Sequence, residues 1–145
     1  MYIDNKLVKF KRYLTEEKEC LKEVKYVFDH KLKRLSWMFF ACHHVKSVKF
    51  VNVDTSLVTD MKWMFAASSI EEVDLSCLNT RNVTNMHNMF VFSCPKKLDL
   101  SNFNFDNLED YVNLFHKCFP GDVILSKSHN KEKILKHLNG HYIFI

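Results

Sequence analysis

Glycine and proline are nearly absent from this chain of 145 residues, at two each. So few glycines exclude the glycine-rich loops that cradle nucleotide phosphates. No G-x-S-x-G, P-loop or H-E-x-x-H pattern is present, and a catalytic site is not expected. No apolar run approaches the ~18 residues that a membrane-crossing helix needs, so no membrane span is expected. The opening residues Met1, Tyr2, Ile3, Asp4, Asn5 and Lys6 lack the apolar core of an export signal. That points to a cytoplasmic or other reducing intracellular setting, in which the five cysteines stay free thiols. A C-x-x-C spacing is also missing, and no metal or other cofactor is expected.

What is present is apolar bulk. Hydrophobic residues make up 47% and charged residues 26%, a globular balance, and 13 phenylalanines are an unusually rich supply. The net charge of +4 is uneven. Residues 1–34 carry 10 Lys/Arg against 6 Asp/Glu, residues 35–125 carry 7 against 10, and residues 126–145 carry 4 against 1. The ends are basic and the body is mildly acidic, the reverse of a nucleic-acid binder with its charge on the folded surface. Contact of the basic ends with phosphate remains a third reading, and it predicts binding that weakens steeply with salt.

The organising feature is an internal repeat. Leu35, Trp37, Met38 and Phe39 correspond to Met61, Trp63, Met64 and Phe65, then to Met86, Asn88, Met89 and Phe90, then to Tyr111, Asn113, Leu114 and Phe115. The first step is 26 residues and the others are 25. Val48 and Phe50, Val73 and Leu75, Leu98 and Leu100, and Val123 and Leu125 hold the same 25-residue register. So do Val53, Leu78 and Phe103, and Val58, Val83 and Leu108. The extra residue of the first unit falls between Phe39 and Val45.

Within each unit the Val-x-Leu piece alternates as a strand with two inward residues. Met61, Met64 and Phe65, like Met86, Met89 and Phe90, follow the i, i+3, i+4 spacing of a short helix. Thr59 and Thr84 are placed to cap it. A strand and a helical turn in about 25 residues fall in the leucine-rich-repeat range, and no unit can bury its apolar faces without stacking on others.

The stretch holding Leu78, Asn82, Val83, Thr84, Asn85, Met86, Met89 and Phe90, preceded by Val73, Asp74, Leu75 and Ser76, resembles the BspA-like leucine-rich repeats. Ser101 and Phe103, and Ser56, Val58, Thr59, Asp60 and Met61, match the same pattern. The resemblance covers roughly residues 35–126 and fades in the last unit, where Tyr111 and Leu114 replace methionines. It implies a curved solenoid with a parallel sheet on one side, and a role in adhesion and protein recognition.

The expected fold is therefore a short right-handed α/β repeat solenoid, with a parallel strand ladder on one face, short helices on the other and helical caps at both ends. Residues 1–34 form the N-terminal cap, with a helix over 15–23 and a degenerate strand through Val24, Tyr26 and Phe28. Residues 35–126 are the repeats. Residues 127–145 are the C-terminal cap, a helix over 131–138 that Asn130 caps and Gly140 ends, then a strand over 141–145.

Several tempting chemical readings dissolve into the repeat. Cys42, His43 and His44 with Cys118 or His116 suggest a metal, but Cys42, Ser68, Ser93 and Cys118 share one column that asks only for a small side chain. Asn82 and Thr84 form a glycosylation sequon that is also part of the repeat. The positions that the repeat does not dictate are the candidates for binding. On the strand face these are Lys49, Glu72, Asp74, Lys97 and Asp99, with Asp74 and Asp99 side by side and Lys97 placed to offset them. On the other side Trp37 and Trp63 sit off the inward face, stacked one repeat apart. The expected function is a non-catalytic protein-interaction module with another protein as its partner. The alternative is a structural subunit of a larger assembly, such as a viral particle, and self-association is left open.

Overall fold

In a computed structural model, residues 2–3, 6–7, 9–13, 23–28, 31–118, 122–126, 131–138 and 143–144 are described. Near the N-terminus, β1 (Tyr2–Ile3) pairs antiparallel with β2 (Lys6–Leu7), and β3 (Lys9–Tyr13) with β4 (Glu23–Val27). Five further strands, β5 (Ser47–Lys49), β6 (Glu72–Asp74), β7 (Lys97–Asp99), β8 (Asp122–Leu125) and β9 (Ile143–Phe144), form one parallel sheet in chain order. Helix α1 (Glu132–Leu135) is the sole helix among the described residues. The chain is thus a small α/β repeat fold built on a parallel ladder.

The register is the one the columns require. Ser47, Glu72, Lys97 and Asp122 pair in one row, and Val48 with Val73 and Leu98 with Val123 in the next. Val48, Leu98, Leu100, Val123 and Leu125 are buried, as are Val58, Val83 and Leu108 in their column. Phe39, Phe65, Phe90 and Phe115 form a stack through the core, with ring centroids 5.5, 5.3 and 5.8 Å apart and planes within 11° of parallel.

The short helices expected through Met61, Met64 and Phe65 and through Met86, Met89 and Phe90 are not helical, nor are the matching segments 35–42 and 111–118. Each is a run of overlapping turns. In the second unit the amides of Met64, Ala66 and Ser68 donate to the carbonyls of Met61, Trp63 and Phe65, while those of Met61, Trp63, Phe65 and Ala67 donate to Asn85, His87, Met89 and Val91 of the next unit at 2.8–3.0 Å. Alternate amides therefore close the local turn and bridge to the neighbour. The physical reason is spacing. Coils held by a parallel ladder lie about 4.8 Å apart, and an α-helix with its side chains is about 10 Å wide. Turns satisfy the burial pattern of Met61, Met64 and Phe65 in half the room.

These turns need left-handed backbone at two positions per coil. One column is Trp37, Trp63, Asn88 and Asn113, with φ between 55° and 64°. The other is Ala41, Ala67, Phe92 and Lys117, with φ between 53° and 56°. Glycine or asparagine suits such a position, and this glycine-poor chain fills most of them with other residues.

The corner of each turn segment is also held differently from the expectation. Thr84 Oγ1 donates to the Thr59 carbonyl instead of accepting an amide. The amides are taken by Asp60, Asn85 and Asp110, whose side-chain oxygens accept from Lys62, His87 and Val112 at 3.0, 2.9 and 3.3 Å. Carboxamide and carboxylate acceptors outcompete threonine there because their reach spans two residues forward. At the C-terminal end, α1 is shorter than the helix expected over 131–138, and Lys131 provides no side-chain cap. The expected strand over 141–145 is represented by β9. The expected N-terminal helix over 15–23 falls almost wholly outside the described residues, as do Asn130 and Gly140; Glu23 begins β4.

Candidate functional site

The two tryptophans owe their meeting to the repeat. Trp37 and Trp63 occupy one left-handed column, the third position of the first turn in consecutive coils, and neither belongs to the methionine–phenylalanine core. Their rings stack with centroids 4.9 Å apart and planes 4° from parallel. Phe40 stands edge-on to both, at 4.9 Å from Trp37 and 5.9 Å from Trp63. His87 closes the far side of Trp63 at 6.3 Å, and its Nδ1 lies 3.2 Å from Asp110 Oδ1 of the following coil. Trp37 is 47% exposed and Phe40 39%, while Trp63 is half-buried. The result is a continuous aromatic surface across the first two coils. Phe40 and His87 escaped the sequence reading because their columns are not aromatic: Phe40 aligns with Ala66, Val91 and His116, and His87 with Ser36, Lys62 and Val112.

The strand face carries the charged rows where they were expected. Lys49 Nζ lies 3.2 Å from Asp74 Oδ2 across the β5–β6 step. The Asp74 carboxyl is held below its usual range by the Ser76 hydroxyl, which donates at 2.6 Å, then by the Ser76 amide and Lys49. Asp99 accepts the Ser101 amide at 2.9 Å. Glu72 and Lys97 are register partners. Asp74 is thus paired with Lys49 and Ser76, and Asp99 with the Ser101 amide.

One residue before the strands lies a further row that sequence reasoning missed. Glu71 sits between Lys46 at 2.9 Å and Lys96 at 2.7 Å, three consecutive coils joined by one carboxylate. These two ammonium groups hold the Glu71 carboxyl down to about 2, Lys96 contributing most. The 25-residue spacing of Lys46, Glu71 and Lys96 was the signal, but the row lies outside the alternating strand where outward positions were sought.

The cysteine column behaves as a small-residue column. Ser68 and Ser93 are buried and their hydroxyls lie 2.9 Å apart. Cys118 is buried at the end of the column, and Cys42 packs half-buried against the core at its start. Burial pushes the thiols of Cys42 and Cys118 up. His43, His44 and His116 are exposed, and among the described residues no three His, Cys, Asp or Glu side chains gather as a metal-holding group. Asn82 Nδ2 donates to the Ser56 carbonyl of the preceding coil at 2.8 Å, a structural use of the sequon asparagine. Among the described residues no helix is long and apolar enough to cross a membrane.

The chain belongs to the family described as "Mycoplasma protein of unknown function, DUF285", which matches residues 30–136. No curated protein matches it. No solved structure matches it either.

Proposed function

We propose that this DUF285 member is a non-catalytic protein-recognition module, a short right-handed leucine-rich-repeat solenoid of the BspA-like kind whose terminal segments close its ends. The contact surface is the Trp37–Phe40–Trp63 patch, and the charged strand rows of Lys49, Glu72, Asp74, Lys97 and Asp99 on the other face are the alternative to it.

The observation that carries this reading is the choice of tryptophan at a left-handed position. Left-handed backbone costs an ordinary L-residue about 1–2 kcal/mol, and asparagine tolerates it better. The coil itself does not require an indole, since Asn88 and Asn113 serve the same position two and three turns along. Placing two tryptophans there, one of them 47% exposed, makes sense if the rings meet a partner.

The test uses the residue that the fold already accepts. The double variant Trp37→Asn, Trp63→Asn is expected to keep its urea stability within about 1 kcal/mol, because the lost stacking is offset by relief of the left-handed strain. It is expected to lose the protein captured by the wild type in cross-linked native lysate. A variant that unfolds, or that captures the same protein equally well, overturns the patch as the interface.

A second reading, a structural subunit of a larger assembly, is favoured by one feature. Among the described residues, strand β9 is the last of the parallel sheet, and its Ile143 is 52% exposed. It predicts concentration-dependent self-association in sedimentation, which the recognition module does not require.

A further inference from the structure

We propose that Cys94 and Cys118 are a thiol pair that oxidises to a disulfide, stapling the third coil to the fourth. Ser68 and Ser93 touch across neighbouring coils at 2.9 Å, and Cys118 is the next member of their column. Cys94 follows Ser93 directly, so it lies diagonally from Cys118. A step of one coil and one residue separates their Cα atoms by about 6 Å, the separation that a disulfide spans without backbone movement. Cys94 Sγ donates to the carbonyl of Lys117, the residue directly before Cys118, at 3.7 Å.

The two members have different roles. Cys94 is exposed and open to an oxidant, whereas Cys118 is 5% exposed. Burial, and then the neighbouring Cys94, keep the Cys118 proton in place, so Cys118 is inert until its neighbour changes. The oxidant is a hydroperoxide. The Cys94 sulfur takes its terminal oxygen, becoming a sulfenic acid and releasing water or an alcohol. Cys118 then attacks the Cys94 sulfur; the S–O bond breaks, an S–S bond forms, and the hydroxide leaves as water with the Cys118 proton. Two thiols are oxidised by two electrons and one hydroperoxide is reduced. A dithiol reverses the step.

The experiment takes the reduced full chain, adds one equivalent of hydrogen peroxide and maps the products by non-reducing peptide mass spectrometry. The expected product is an intrachain Cys94–Cys118 link that dithiothreitol removes and that raises the melting temperature by several degrees. Cys94→Ser abolishes it, and Cys77→Ser, which removes another exposed thiol, leaves it unchanged. Sulfinic acid at Cys94 with Cys118 still a free thiol overturns the proposal. So does preferential linkage of Cys94 to any other cysteine, or the same Cys94–Cys118 yield from the denatured chain.

Discussion

Glu71 shows how one residue ties coils together at the surface. It receives Lys46 from the preceding coil and Lys96 from the following one, and its carboxyl is held near 2 against a usual 4.5. Because the folded value lies below the unfolded one, the carboxylate's contribution is fully present above pH 4.5 and is lost as pH falls from there towards 2. Removing the carboxylate should therefore flatten the acid limb in that window. The expectation for Glu71→Gln is a shallower fall of unfolding free energy with decreasing pH, followed by urea melts at successive pH values. The difference should shrink in high salt, since the side chains are exposed. An acid limb identical to wild type would remove Glu71 from the account. The same period that exposes this row places the buried threonines Thr55 and Thr80, each of which accepts the amide of the next coil's Asn79 or Asn104 at 2.7 Å. Rows of this sort are legible in the sequence as columns. Which member bonds to which is not legible, because it depends on whether the side chain faces along the stack or out to water.

At the scale of the element, the phenylalanine stack and the turn ladder are two sides of one segment. Phe90 is the clearest probe. It is 1% exposed and lies between Phe65 at 5.3 Å and Phe115 at 5.8 Å. Phe90→Ala deletes a ring with partners on both faces, and is expected to cost about 3–5 kcal/mol in urea unfolding. A cost under about 1 kcal/mol would mean that the stack is loosely packed. The inward positions of these segments were readable from sequence alone: Met61, Met64, Met86, Met89, Phe65 and Phe90 are all buried. Their backbone was not. A spacing of i, i+3, i+4 reports which side chains share a face, and a helix and a run of overlapping turns give the same answer. What separates them is the distance to the next coil, a property of the whole stack. The same limit hid the left-handed column of Trp37, Trp63, Asn88 and Asn113. Asparagine in the later units hinted at it, but tryptophan in the earlier ones pointed only to a surface patch.

For the whole molecule, the parallel ladder holds each repeat unit against the units beside it. The column through residues 57, 82 and 107 shows how the units are tied at one corner. Asn82 donates to the Ser56 carbonyl and Asn107 to the Arg81 carbonyl, both at 2.8 Å, each reaching back one coil. The next carbonyl in that series, Asp106, receives Lys133 Nζ at 3.0 Å. The same ammonium takes the Phe105 and Leu108 carbonyls at 3.1 and 2.9 Å. Lys133 thus continues the asparagine column from α1, whose Ile134 is buried against the core. Lys133→Met keeps the aliphatic stem and removes three charge-assisted bonds, an expected loss of about 1–3 kcal/mol. The loss should be local. Amide hydrogen exchange should quicken first in residues 103–118 and 122–126, while the amides of Trp63, Phe65 and Ala67, which bond to the third coil, keep their protection. Lys133→Arg should restore part of the effect, because a guanidinium can still donate to carbonyls. Uniform quickening in every coil would show instead that the chain opens as a single cooperative unit and that α1 does not guard one end of it.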